Sequence, residues 1–228
     1  MAEIRAAGLV RRASEHAEPA AVERGLPLAP ALRPLFPGGA LRRGSTVALA
    51  PSNAGQTSLL FALLAAASAA GSWCAAVGLP DLGLVAAAEA GVVVDRLALV
   101  PRPGPEWPGV VAALLDGVDI VVLAAPGSVA PAVVSRLAAR ARQRGAVLVP
   151  VGRWSGAELT LEVVADAWPG IGAGRGRLGR HEVEVVARGR GAAARPRRAH
   201  LWLPTPIEGS GEIAVLERPA DVVLDRAG

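Results

Sequence analysis

From residue 45 onward the apolar positions fall into short, nearly unbroken runs separated by longer stretches rich in Ala and Leu. The runs at 45–50, 73–78, 97–100, 119–124 and 146–151 read as strands. Between them, 56–70, 84–90, 106–115 and 130–144 have helical length and composition. Strands apolar along their whole length, alternating with helices, are what a parallel sheet covered on both faces requires, since neither face then meets water. The pattern predicts a doubly wound α/β fold. Beyond Trp154 the rhythm changes. Residues 159–164, 181–187 and 199–203 alternate or run apolar with no helix between them, which predicts an antiparallel C-terminal edge.

The flanks carry less apolar content. Residues 1–25 predict an amphipathic helical arm anchored only by Ile4, Leu9, Val10 and Val22. Residues 26–44 hold four prolines and the pair Gly38-Gly39, and read as a connector into the first strand. The expected organisation is an arm over 1–25, a core over 26–204 and a tail over 205–228. Within the core, 45–151 is the parallel part and 155–204 the antiparallel edge with basic loops.

Composition narrows the function classes. Of 228 residues 52% are apolar and 19% charged, far from a disordered profile. The richest apolar run, 59–70, is too short for a bilayer that needs about 20 residues. The opening residues mix acids and arginines without an apolar stretch of signal-peptide type, so the expectation is a cytoplasmic protein without a membrane span. One cysteine, Cys74, supports no intramolecular disulfide, and three scattered histidines offer no metal-ligand spacing. All 24 basic residues are arginine, so the high isoelectric point reflects missing buffers, while the net charge is only +4. The positive charge is local: eight arginines lie between Arg175 and His200 against Glu182 and Glu184. The sequence Gly174-Arg175-Gly176-Arg177-Leu178-Gly179 fits GxGxxG but follows no buried strand, so it carries no dinucleotide site.

In a doubly wound sheet the first strand-to-helix turn is where ligands sit. Here it reads Ala50-Pro51-Ser52-Asn53-Ala54-Gly55-Gln56-Thr57. The spacing is that of the phosphate loop GxxxxGK[ST], with Gly55 and Thr57 in place, Ala50 for the first glycine and Gln56 for the lysine. Glutamine offers neutral donors only and forfeits a charge-assisted bond worth about 1.5–3 kcal/mol.

Around this loop the chain resembles the RecA recombinase core over residues 32–151: LRRGSTVALAPSNAGQTSLL, GSWCAAVGLPDLGL, GVVVDRLALVPRPG, GVDIVVLAA and GAVLVPV follow in order. Over most of its length it is similar to the RecA-like accessory proteins of bacterial damage-induced mutagenesis, the ImuA and actinobacterial ImuA-prime family. LPLAPALRPLFPGGALRRGS, WPGVVAALLDGVDIVVL, GRGRLGRHEVEV and RRAHLWLP carry that likeness. The resemblance implies a RecA-like fold, and acidic residues after the second and fourth strands where this chain has Pro80 and Ala124. Asp119 cannot stand in for Ala124. Five residues along a strand place it roughly 16 Å away at the other end of the sheet.

The implied function is a non-catalytic adaptor in SOS mutagenesis and translesion synthesis, a pseudo-ATPase without a cofactor or metal. At most, weak nucleotide binding through backbone N–H groups and Thr57 would remain. Implied partners are an ImuB-type Y-family polymerase homologue, an error-prone replicative-type polymerase, RecA itself, and DNA directly or through them. Two readings stay open beside it, a DNA-dependent ATPase of the RecA type and a SulA-like cell-division inhibitor. Candidate contacts to DNA or partners are Arg136, Arg140 and Arg144 at i, i+4, i+8 on one helix, and Arg175, Arg177, Arg180, Arg195, Arg197 and Arg198 in the C-terminal basic region.

Overall fold

A computed structural model describes residues 25–52, 55–167 and 181–203. The predicted tail, and the predicted arm up to residue 24, lie outside the described residues. The alternation read from the sequence is present: β1 (Val47–Leu49), α1 (Gln56–Ala69), β2 (Cys74–Val77), α2 (Leu84–Glu89), β3 (Leu97–Val100), α3 (Trp107–Gly117), β4 (Ile120–Leu123), α4 (Pro131–Arg144) and β5 (Val147–Pro150). β6 (Leu159–Ala167), β7 (His181–Gly189) and β8 (Arg197–Leu203) follow, with no α-helix among the described residues between them.

Four strands form a parallel sheet in the order β3-β2-β4-β5, and the others stand in the order β1-β6-β7-β8. Isolated parallel bridges, Thr46 with Leu148 and Leu49 with Val151, join β1 to β5. The Gly152 N–H donates to the Leu49 carbonyl at 2.8 Å across this seam. β1 thus lies between β5 and β6, inside the combined array.

Successive strand residues face opposite cores. Ile120 and Val122 of β4 pack with α1 and α2, whereas Val121 and Leu123 pack with α3 and α4. This is why the strands read as continuous apolar runs. α1 is apolar around almost its whole circumference, with Leu59 to Ala65 all buried. A helix of that kind must be covered on its outer side too. The cover is the stretch read as a connector: Leu28, Leu32, Leu35 and Leu41 are 0–1% exposed and share the α1 core. Its prolines start two 3-10 turns, Pro30–Leu35 and Pro37–Gly39, that fold these leucines inward.

The antiparallel C-terminal edge is present: β7 pairs antiparallel with both β6 and β8. It joins the rest through a pairing the pattern did not indicate, β6 parallel to β1 with Val47 opposite Leu159. Parallel crossovers usually need a dozen or more residues, most often a helix. Because β1 has only three residues, the loop 151–158 is long enough to cross it and start β6 in parallel. No helix among the described residues is long and apolar enough to cross a membrane.

Candidate functional site

The turn from β1 to α1 opens at the carboxyl edge of the sheet, with β5 and β6 on either side. Strand pairing continues one residue past β1, since the Ala50 N–H donates to the Leu161 carbonyl at 2.8 Å. Gly55 then turns the chain into α1 in the left-handed region, φ 73°. The space there also demands glycine: a Cβ would lie 3.1 Å from Val183 Cγ1 and 3.3 Å from His181 Cε1. His181 is buried against this turn, its Nε2 3.2 Å from Asp166 Oδ2. Gln56, at the lysine position of a phosphate loop, turns back on its own loop. Its Nε2 donates to the Ala50 carbonyl at 2.6 Å and lies 3.5 Å from the Leu49 carbonyl. Pro51 contributes no backbone N–H, Ser52 is half-buried, and Thr57 is exposed on the first turn of α1. Asn53 and Ala54 lie outside the described residues.

Neither neighbouring position supplies a carboxylate. Pro80 is exposed in the turn after β2, beside exposed Asp81. Ala124 ends β4 with its N–H on the Val77 carbonyl at 2.9 Å, and Gly78 lies so close that a Cβ there would meet the Ala124 carbonyl oxygen at 2.2 Å. Asp119 sits before β4 at the opposite edge, 3% exposed. Its two oxygens accept from Arg43 Nη1 and the Trp73 N–H, each at 2.9 Å.

Beside the turn a cleft of about 700 Å³ is bounded by Ala50 and Pro51, by Gly127 and Ser128 after β4, and by Arg153 and Trp154 in the crossing loop. Among the described residues, Arg153 is the one charged side chain lining it, and no carboxylate lines it. Sequence reasoning did not bring Ser128 or Arg153 to this site. The signal would have been the parallel pairing of β4 with β5, which ends both strands, and so starts both following loops, at the same edge. Among the described residues no group of three or more His, Cys, Asp or Glu side chains could hold a metal ion.

The candidate arginines divide. Arg140 and Arg144 both bond Asp116 of α3, Arg140 through two nitrogens with Nε 2.7 Å from Oδ1, and Arg144 through Nε at 3.0 Å. The Arg140 hydrogen bond first, and then the charges of both arginines, hold the Asp116 carboxyl below its usual range. Asp116 reciprocally raises Arg140. Arg136 is exposed and makes no ion pair among the described residues. Arg198 pairs with Glu184 across strands at 2.7 Å, Arg195 is exposed and Arg197 half-buried. Arg175, Arg177 and Arg180 lie outside the described residues. The helix stripe is therefore in large part a clamp between α3 and α4.

Fold and site together define a mixed α/β protein with a strand-turn-helix of phosphate-loop spacing and Gln56 at the lysine position of that spacing. Residues 34–156, from the connector through β5 into the crossing loop, match the family model described as the MT3502 N-terminal domain. The chain is also 37% identical over 171 residues to the uncharacterized protein Rv3395c of Mycobacterium tuberculosis, covering 67% of this chain and 84% of that protein. The chain belongs to the MT3502 N-terminal domain family.

Proposed function

We propose that this chain is a RecA-like adaptor that has given up ATP turnover and acts in DNA-damage-induced mutagenesis and translesion synthesis. In this reading it binds an ImuB-type Y-family polymerase homologue and an error-prone replicative-type polymerase, with RecA as a further contact, in the cytoplasm. Support for the RecA-like core comes from the ordered sequence likeness over 32–151. It also comes from a sheet whose first strand is interior, between β5 and β6, with the loop at its carboxyl end.

The observation that carries the silent site is the amide of Gln56, which is spent on the Ala50 carbonyl of its own loop. Mg–ATP asks for a cation at the β and γ phosphates, backbone donors around them and a carboxylate to position the metal. The residues described here do not fit that group. Gln56 is neutral and engaged, Pro51 lacks a donor, and Pro80 and Ala124 hold the acid positions. Each missing transition-state contact costs on the order of 10² in rate, so several together leave no useful turnover.

The test is co-purification of the tagged full-length chain from DNA-damaged cells. Recovery of the ImuB-type partner supports the adaptor reading. Its consistent absence, with the chain present and folded, would overturn it.

A further inference from the structure

The amino edge of the sheet holds a second cavity, remote from the loop after β1. It encloses about 430 Å³ between the 3-10 connector and the turn after β7. Its apolar wall comes from Phe36, Val47, Leu159 and Ala193, all part of the α1 core. Two guanidinium groups, Arg42 and Arg190, and one carboxylate, Glu158, line it as well.

Backbone geometry fixes these charges in one place. The end of β7 approaches Glu158 so closely that a Cβ on Gly189 would lie 2.3 Å from the Glu158 carbonyl oxygen and 2.6 Å from Ala193 Cβ. The Arg190 N–H donates to that same carbonyl at 3.0 Å, while its Nη2 lies 3.3 Å from the Ala157 carbonyl. Arg42 bonds the Glu158 carboxylate, and its own carbonyl accepts from Ser45 Oγ at 2.6 Å. Both arginines are thus tethered to the start of β6. A guanidinium carries five N–H donors, and these contacts use one side-chain nitrogen of each arginine. Among the described residues, two cations face one carboxylate beside an apolar wall, an excess of one positive charge.

A cavity of this size with an apolar body and a few convergent polar groups has the anatomy of a small-ligand site. Guanidinium selects planar two-oxygen anions over spherical ones. We propose that this cavity binds a carboxylate carried on an apolar body, either a free aliphatic acid or the C-terminal end of an apolar peptide. Arg42 and Arg190 take the carboxylate and the wall from Phe36 to Ala193 takes the apolar part. Glu158 excludes ligands with a second negative charge.

Isothermal titration of the full-length chain tests this with octanoate, N-acetyl-leucine and N-acetyl-leucinamide. Saturable binding of either carboxylate is expected, with the amide at least about tenfold weaker. Octanoate alone would identify a free acid, N-acetyl-leucine alone a peptide end, and both together the shared chemistry. Arg42→Gln and Arg190→Gln should each weaken the carboxylate about tenfold or more, while Arg153→Gln, at the opposite edge, should leave it unchanged. If either charge variant fails to fold, Ala192→Trp, at an exposed lining position, should block the cavity with both cations retained. Equal affinity for acid and amide, full affinity in Arg42→Gln and Arg190→Gln, or full affinity in Ala192→Trp would overturn the proposal. So would the absence of saturable binding up to about 10 mM of both carboxylates.

Discussion

The two ends of β4 carry opposite chemistry. At its start, Asp119 is buried and held by Arg43 and the Trp73 N–H, a charge kept and fully partnered. At its finish stands Ala124, beside a loop whose only side-chain donor at the lysine position is turned onto its own backbone. Charge has been retained where it ties elements together and is missing where phosphate chemistry would need it. Substitutions at the buried Asp119 pair should therefore unfold the protein. At the carboxyl edge, Gln56 and Thr57 should be replaceable at little cost in stability.

The largest expected effect lies at the amino edge. Asp119→Ala leaves the Arg43 guanidinium, whose side chain is 17% exposed, without its counter-charge and the Trp73 N–H without an acceptor. Losing one partner of such a pair costs about 3–5 kcal/mol. Urea unfolding should show a loss of that order, and a loss under about 1 kcal/mol would erase the contrast between the two edges. Next comes the connector. Leu32→Ala removes a side chain with no exposure that roofs α1 and should destabilise by about 2–5 kcal/mol, whereas a passive linker would register almost nothing.

Asp116→Asn should cost about 1 kcal/mol or less, because its pairs with Arg140 and Arg144 are a third exposed. Since the folded state lowers the Asp116 pKa, that contribution is present above the unfolded carboxyl value and is lost as pH falls through the folded one. Melting curves of wild type and variant should differ at pH 7 and converge in acid. Persistence of the difference well below pH 3 would show that the clamp is not electrostatic.

The smallest effect belongs to Cys74. Burial, and secondarily the Asp119 charge, push its thiol up to about 12. The fold favours the neutral thiol, so its contribution holds below the unfolded value near 9 and fades as pH climbs toward 12. A thiol reagent at pH 8 should label the chain only after denaturant is added. Rapid labelling of the native protein would place Cys74 nearer the surface than the sheet interior allows.

The parallel half of the fold was legible because strands covered on both faces must be apolar throughout, and β2, β4 and β5 are. The turn 50–57 was legible for the same reason, standing between the first such strand and an apolar helix. The connector was not, since proline content hid five leucines that the core uses, Leu26, Leu28, Leu32, Leu35 and Leu41. The parallel pairing of β6 with β1 was not, because a three-residue β1 permits a crossing shorter than usual. The arginine stripe on α4 could be seen as a stripe. That Asp116 absorbs two of its members depends on how α3 and α4 pack, which spacing within one helix does not encode. Nor could sequence spacing show that Gln56 bonds Ala50, a contact set by the curl of the loop.

The central claim is that the loop after β1 cannot turn over nucleotide. Phosphate release from Mg–ATP by the full-length chain, with and without single-stranded DNA, tests it most directly. The account predicts a rate indistinguishable from buffer under both conditions, unchanged in Thr57→Ala. Turnover that rises with DNA and disappears in Thr57→Ala would contradict it.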